Sequence, residues 1–300
     1  MIKCTNVYKS FDDFQALSGV SMTVPKGSIY GLVGPNGAGK TTLLKSILGI
    51  LKTDNGTITV DGENVFENPA VKEKIFYIPD DLYFFQTYSI KDMADFYKAI
   101  YKNFSMERFE SLSNVFEIDV KRKVNRLSKG MQKQVAFWLG ISAMPEILIL
   151  DEPVDGLDPV MRKRVWSSLM QDVSERGITV LISSHNLREL EDVCDCVGML
   201  SEGRVALEKS IEDAKGNFHK IQAAYKDGVP KDIYNKLNIE HENHYGSVSL
   251  FIVRGEENEI RKVFEDTNPL ILDILPLTLE EIFIYEMGGL GYEIKSANLK

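Results

Sequence analysis

Two clusters of residues in this chain are spaced for phosphate chemistry. Gly34-Pro-Asn-Gly-Ala-Gly-Lys40-Thr41 fits the pattern G-x-x-x-x-G-K-[ST]. Glycines at these positions let backbone N–H groups turn inward around phosphate oxygens, and a following helix N-terminus adds partial positive charge. In such a loop Gly34, Asn36, Gly37, Ala38, Gly39, Lys40, Thr41 and Thr42 surround the phosphates of a nucleotide. Lys40 reaches the β- and γ-phosphates, and the Thr41 hydroxyl is a ligand for Mg²⁺. The second cluster closes the apolar run Ile147-Leu-Ile-Leu-Asp151-Glu152 with two carboxylates. Asp151 suits the hydration shell of a Mg²⁺ ion, and Glu152 suits orienting or deprotonating an attacking water. Acidic residues also end strands simply where a chain reaches solvent. Beside a phosphate loop, the pair acquires a chemical reading.

Both clusters need rigid elements behind them. Ser28 to Val33 reads as a buried strand running into the glycine loop, and Thr41 to Leu48 as a helix stopped by Gly49. Ile147–Leu150 and Ile178–Ser183 are continuous apolar runs of the kind found inside parallel sheets. Between them, Met161 to Arg176 is helical, with Asp158 as N-cap, Pro159 as first residue and Gly177 as stop. Asn186 and Glu189 have capping-box spacing and predict a further helix over Asn186 to Cys194. The segment Val197–Leu207 reads as a hairpin turning at Glu202-Gly203. Such alternation implies an α/β fold. Residues 82–141 break the rhythm with apolar residues at helical spacing (Met93, Phe96, Tyr97, Ile100) and read as a helical insertion. Residues 216–300 offer strands at Phe218–Tyr225, Val248–Val253 and Ile271–Leu275 and a helix near Glu256–Phe264, a small α+β domain.

Bulk properties narrow the function. The chain has 300 residues, 44% of them hydrophobic and 26% charged, with a net charge of -9. Nucleic-acid binding draws on a basic surface, so no nucleic-acid partner is expected. Cys4, Cys194 and Cys196 form neither a CxxC pair nor a disulfide framework, consistent with a reducing compartment. No apolar stretch reaches the ~20 residues that span a bilayer. The expectation is a soluble cytoplasmic protein, for which any membrane role must come through a partner.

The two clusters are joined by Leu127-Ser-Lys-Gly-Met131, by Gly156-Leu-Asp158-Pro159 and by Ser183-Ser-His185. In this order and spacing, residues 1–210 resemble the nucleotide-binding domain of ATP-binding-cassette (ABC) proteins. The resemblance implies a P-loop fold of ABC type: an α/β body with an antiparallel β subdomain and the helical insertion, plus the small C-terminal domain. It implies Mg²⁺-dependent ATP hydrolysis. Ser128 and Gly130 would bind the γ-phosphate of ATP held by the opposite subunit of a head-to-tail dimer. Ser128 would also cap a helix. His185 would contact the γ-phosphate, Asp158 would link the two sites, and Phe11 would stack on adenine. Plainer readings stay open: Asp158 as a helix cap only, His185 as a surface histidine, Phe11 as core. The second subunit is another copy or a paralogue.

Lys129 and Met131 stand where the common signature has glycine and glutamine, a form that resembles the antibiotic- and lantibiotic-exporter branch. Val154 replaces the usual threonine, and Asp80 holds the position of a Mg²⁺-sensing glutamine. The resemblance implies a subunit that powers a separate polytopic membrane permease. The alternative is a soluble cassette ATPase acting on nucleic acid or ribosomes. In Leu82-Tyr-Phe-Phe85-Gln-Thr-Tyr88, four aromatics either dock that permease or pack inside the insertion.

Overall fold

The chain begins with an antiparallel pair, β1 (Ile2–Phe11) and β2 (Phe14–Val24), in which Ile2, Cys4, Val7, Val20, Met22 and Val24 are buried. The computed structural model describes residues 1–215, 218–226 and 228–283. It divides into two compact units, Met1–Glu208 and a second beginning at Lys209.

β3 (Ile29–Val33) is buried along its whole length and delivers the chain to the glycine loop and α1 (Lys40–Ile47). β4 (Asn55–Val60) and β5 (Glu63–Asn64) return to the first pair and complete an antiparallel sheet of order β2-β1-β4-β5. The short α2 (Pro69–Lys72), capped by Asn68, leads into β6 (Ile75–Ile78). The insertion follows as α3 (Ile90–Ile100), α4 (Met106–Phe116) and α5 (Lys129–Ser142). Ser89 and Asp92 start α3 with a reciprocal capping box. In the core of the insertion, Trp138 of α5 stacks on Phe109 and Phe116 of α4, with ring centroids 4.6 and 5.6 Å apart. Its indole N–H donates to the Phe109 carbonyl at 2.7 Å, so a fully buried ring leaves no polar atom unpaired.

The chain then re-enters the body as β7 (Ile147–Asp151), α6 (Pro159–Arg176) and β8 (Thr179–Ser184). β9 (Cys196–Ser201) and β10 (Arg204–Ser210) finish a six-stranded sheet of order β10-β9-β3-β8-β7-β6. The pairs β9–β3, β3–β8, β8–β7 and β7–β6 are all parallel. At the β9–β10 turn, Glu202 and Gly203 both have positive φ (48° and 71°), the geometry whose twist suits a two-residue hairpin. A single core joins residues of β1, β2 and β4 to β3, α1 and β7.

The second unit contains α7 (Ile211–Lys215), β11 (Phe218–Ala224), α8 (Lys231–Lys236), β12 (Asn238–Tyr245), β13 (Val248–Arg254), α9 (Glu257–Glu265) and β14 (Ile271–Leu275). Its sheet order is β12-β13-β11-β14, with Ile221, Phe251, Val253, Ile260 and Phe264 buried in its core.

One expected helix is absent. Asn186 to Cys194 forms a 3₁₀ turn at Leu187–Glu189 and irregular turns after it. The capping box fails because Glu189 reaches Arg162 of α6 at 3.3 Å instead of folding back on Asn186. In the second unit, α7, α8 and β12 lie outside the expected elements. β12 (NIEHENHY) is an edge strand with most of its side chains exposed, so it needs no apolar alternation.

Candidate functional site

The site gathers at the C-terminal ends of β3, β7 and β8, where an α/β sheet ordinarily holds ligands. β3 ends at Val33, and the loop from Gly34 turns back so that Gly39, at φ 104°, becomes the N-cap of α1. A Cβ there would lie 2.6 Å from the Ala16 carbonyl oxygen, so only glycine fits. Asn36 and Gly37 are exposed at the loop's crest, Ala38 is buried beneath it, and Thr42 is half-buried one turn into the helix. With no side chain capping α1, its first N–H groups face the loop, a geometry made for an anion.

Lys40 is buried, and its ammonium is held in place. Nζ donates to the Gly34 carbonyl at 2.7 Å and lies 3.2 Å from Glu152 Oε1. Glu152 is therefore a bridge: its Oε2 lies 3.0 Å from His185 Nδ1 and accepts the His185 backbone N–H at 3.3 Å. The carboxylate joins the end of β7 to the glycine loop on one side and to the residue after β8 on the other. Asp155 is also close, its carboxylate within 4.8 Å of the Glu152 and His185 ligand atoms.

Glu152 has φ 45°, a left-handed conformation that costs a residue with a Cβ about 1–2 kcal/mol. Its N–H donates to both the Ser183 carbonyl and the Ser183 hydroxyl at 3.2 Å. Its carbonyl accepts Lys133 Nζ from α5 at 2.8 Å.

Asp151 is buried, and both of its oxygens are occupied. Oδ1 accepts the Ser183 hydroxyl; Oδ2 accepts Thr41 Oγ1 at 2.8 Å and the Tyr77 hydroxyl at 3.4 Å. Burial, with the Asp151 charge second, pushes the Tyr77 phenol upward, so Tyr77 stays a neutral donor. Thr41 and Asp151, two of the three residues expected at Mg²⁺, are thus in direct contact. The third, Asp80, is not with them: its side chain is half-exposed and pairs with Lys133 at 3.2 Å.

Four further residues occupy distinct places. Ser128 caps α5, its hydroxyl accepting the Met131 N–H at 3.3 Å. Gly130 sits where a Cβ would come within 2.6 Å of the Gly156 carbonyl oxygen. Asp158 caps α6 by accepting the Val160 and Met161 N–H groups at 3.1 and 3.0 Å. Phe11 is not core, as its plainer reading had it: it is exposed at the β1–β2 tip, with Lys9 Nζ 5.4 Å from its ring centroid. Sequence reasoning missed Tyr77, Ser183 and Lys133. Ser183 lies within Ser183-Ser-His185 and Tyr77 within Tyr77-Ile-Pro-Asp80, yet only the fold brings them to Asp151; Lys133 carries no local signal.

Beyond Asp80, the aromatic segment divides. Phe84 is half-buried and lines a cavity with Phe76, Tyr97, Ala136 and Leu139. Phe85 stacks edge-on against Phe96 at 5.1 Å, while Tyr83 is 80% exposed.

A buried lysine in a glycine loop, paired with Glu152 at the end of a parallel strand whose Asp151 meets Thr41, defines a P-loop nucleotide-hydrolysing site. Residues 17–155 match the family model described as "ABC transporter". The chain is similar to the ABC transporter ATP-binding protein YtrB of Bacillus subtilis (strain 168), 34% identical over 96% of this chain and 99% of that protein. It is also similar to the bacitracin transport ATP-binding protein BcrA of Bacillus licheniformis, 29% identical over 96% of this chain and 98% of that one. In fold it is similar to a dimeric bacterial ABC transporter cassette (TM-score 0.65, 22% identity, 70% of this chain and 99% of that one). The chain belongs to the ABC transporter family, as an ATP-binding and ATP-hydrolysing subunit. Among the described residues, no helix is long and apolar enough to cross a membrane.

Proposed function

We propose that this subunit powers an exporter, hydrolysing Mg-ATP at sites shared between two cassettes and passing closure to a polytopic membrane permease at the inner face of the cell membrane. The observation that carries the reading is the Glu152 carboxylate held between Lys40 and His185. A group so placed can take a proton from water as the water oxygen attacks the γ-phosphorus, the bond to the β-phosphate oxygen breaks and ADP leaves. Lys40 binds the β- and γ-phosphates, and His185 orients Glu152 and meets the γ-phosphate. Gly34, Asn36, Gly37, Ala38, Gly39 and Thr42 form the phosphate cradle, and the exposed Phe11 would stack on adenine.

The donor set of Thr41 and Asp151, a hydroxyl and a carboxylate in contact, fits Mg²⁺, which prefers one or two protein oxygens alongside phosphate and water. When bound, the ion would neutralise charge on the phosphates. Asp80, turned to Lys133, would reach it only by leaving that partner.

Each chain carries one glycine loop and one Ser128–Gly130 signature, so a second subunit, identical or paralogous, would complete each site. Asp158 would connect the two. The permease would dock on the exposed Tyr83 and Phe85, with Phe84 anchoring the segment from inside. The relative named for bacitracin transport supports an export role and the antibiotic- or lantibiotic-exporter branch. The test is Glu152→Gln: ATP binding persists and turnover falls. Wild-type turnover in that variant would remove Glu152 from its role as base.

A further inference from the structure

We infer that Lys133 is a positioning residue for ATP hydrolysis, fixing the backbone of Glu152 and holding Asp80 beside it. The inference rests on the reading of Glu152 as the base.

Lys133 lies in the second turn of α5, five residues after the Ser128 cap, and is buried. A buried ammonium is costly unless its donors find strong acceptors. Two acceptors are in reach: the Glu152 carbonyl at 2.8 Å and Asp80 Oδ1 at 3.2 Å. The first is the backbone of the proposed base, and the second opens the segment that leads to Tyr83.

The backbone at Glu152 has reason to be held. Its φ of 45° lies in a region that residues with a Cβ leave when they are free to do so. Ser183 grips the N–H of this residue, and Lys133 grips the carbonyl. The direction of a side chain follows from the backbone torsions beneath it. Relaxation of Glu152 to an ordinary helical or extended conformation would swing its carboxylate away from Lys40 and His185. Lys133 therefore acts through Glu152 rather than on the nucleotide. Because Lys133 belongs to the helix that begins at Ser128, the signature and the base share one rigid connection. Asp80 adds a second function: the ion pair ties the start of the partner-facing segment to the same ammonium.

The experiment is a mutant cycle in purified full-length protein, read by single-turnover hydrolysis of radiolabelled ATP and by equilibrium ATP binding. Lys133→Met removes the charge and the donors while keeping the volume. We expect its rate to fall on the order of 10- to 100-fold, the scale of a misplacement of about 1 Å, with ATP binding retained or tightened, because a displaced Glu152 releases Lys40. Lys133→Arg should restore most of the rate. In a Glu152→Gln background, Lys133→Met should cost less than about 3-fold more, because a positioning residue has nothing left to position. If the Met variant does not fold, Lys133→Gln, shorter and neutral, takes its place in the same cycle.

Wild-type turnover in the folded Met or Gln variant overturns the inference. So do equal losses in both backgrounds, or a parallel loss of binding and rate that Arg does not repair. Failure of the underlying reading looks different: Glu152→Gln alone would then retain turnover. A Glu152→Gln variant that is inactive beside a fully active Lys133→Met variant sinks only the role of Lys133.

Discussion

In this structure Glu152 has a cost as well as a use, and Glu152→Gln separates the two. The carboxylate lies 3.2 Å from Lys40, whose side chain is 6% exposed. At an effective dielectric constant of about 20, two unit charges at that distance attract by roughly 5 kcal/mol, most of it offset by desolvation. The net value of a charge-assisted bond is about 1.5–3 kcal/mol. A phosphate that recruits Lys40 must break or share this bond. Gln keeps the shape but offers only a neutral acceptor, so the competition weakens by about 1–2 kcal/mol. ATP should bind ~5- to 30-fold more tightly to the variant. Turnover should fall about 10²- to 10⁴-fold, the usual loss when a general base is removed. Affinity is read by titrating a fluorescent ATP analogue in Mg²⁺-free buffer, and turnover by phosphate release with Mg²⁺. Unchanged or weaker binding would refute the competition for Lys40, and wild-type turnover would refute the base.

Other outcomes are equally accessible. Chelating Mg²⁺ should abolish turnover while ATP still binds, and Thr41→Val should raise the Mg²⁺ concentration needed for half-maximal rate. With Glu152→Gln, ATP should yield a dimer in size-exclusion chromatography, and adding Ser128→Arg should abolish it; a persisting dimer argues against closure through the signature. Asp158→Ser keeps a capping oxygen, so its melting temperature should stay near wild type, whereas Asp158→Ala should lose about 1 kcal/mol by chemical denaturation; an altered ATPase rate in the Ser variant would show a role beyond capping. Tyr83→Ala should leave the melt unchanged and weaken co-purification with the permease, while Phe84→Ala should lower stability. Burial pushes the Cys4 thiol up to about 12 and raises Cys194 as well, so native protein at pH 8 should label rapidly at no more than one cysteine, and at all three once unfolded.

The parts legible in the sequence are those whose chemistry is local. The glycine loop, the Asp158–Pro159 start of α6 and the Glu202–Gly203 turn each depend on a few adjacent residues, and each stands at its expected place. The apolar runs of β3, β7 and β8 were visible because a strand buried on both faces has no polar positions to blur it. Where tertiary contacts decide, the sequence reading fell short. Glu189 has the spacing of a helix cap, but Arg162 competes for it and wins. β12 lies at a sheet edge, so solvent rather than pattern shapes its composition. Within the site, Tyr77, Ser183 and Lys133 reach Asp151 and Glu152 from three separate elements, a convergence that exists only once the sheet has formed.

The close approach of Gly130 to the Gly156 carbonyl bears on how two cassettes would keep time with each other. One contact point links the start of the signature helix to the loop that ends in Asp158, with no side chain between to absorb displacement. In the proposed dimer, the first of these faces the nucleotide of the opposite cassette and the second leads toward the other site. A change felt at one nucleotide would therefore be relayed through bare backbone within a single chain. A dimer carrying one Gly130→Ala subunit should then fire its two sites out of step, although one glycine loop and one base remain untouched in each chain.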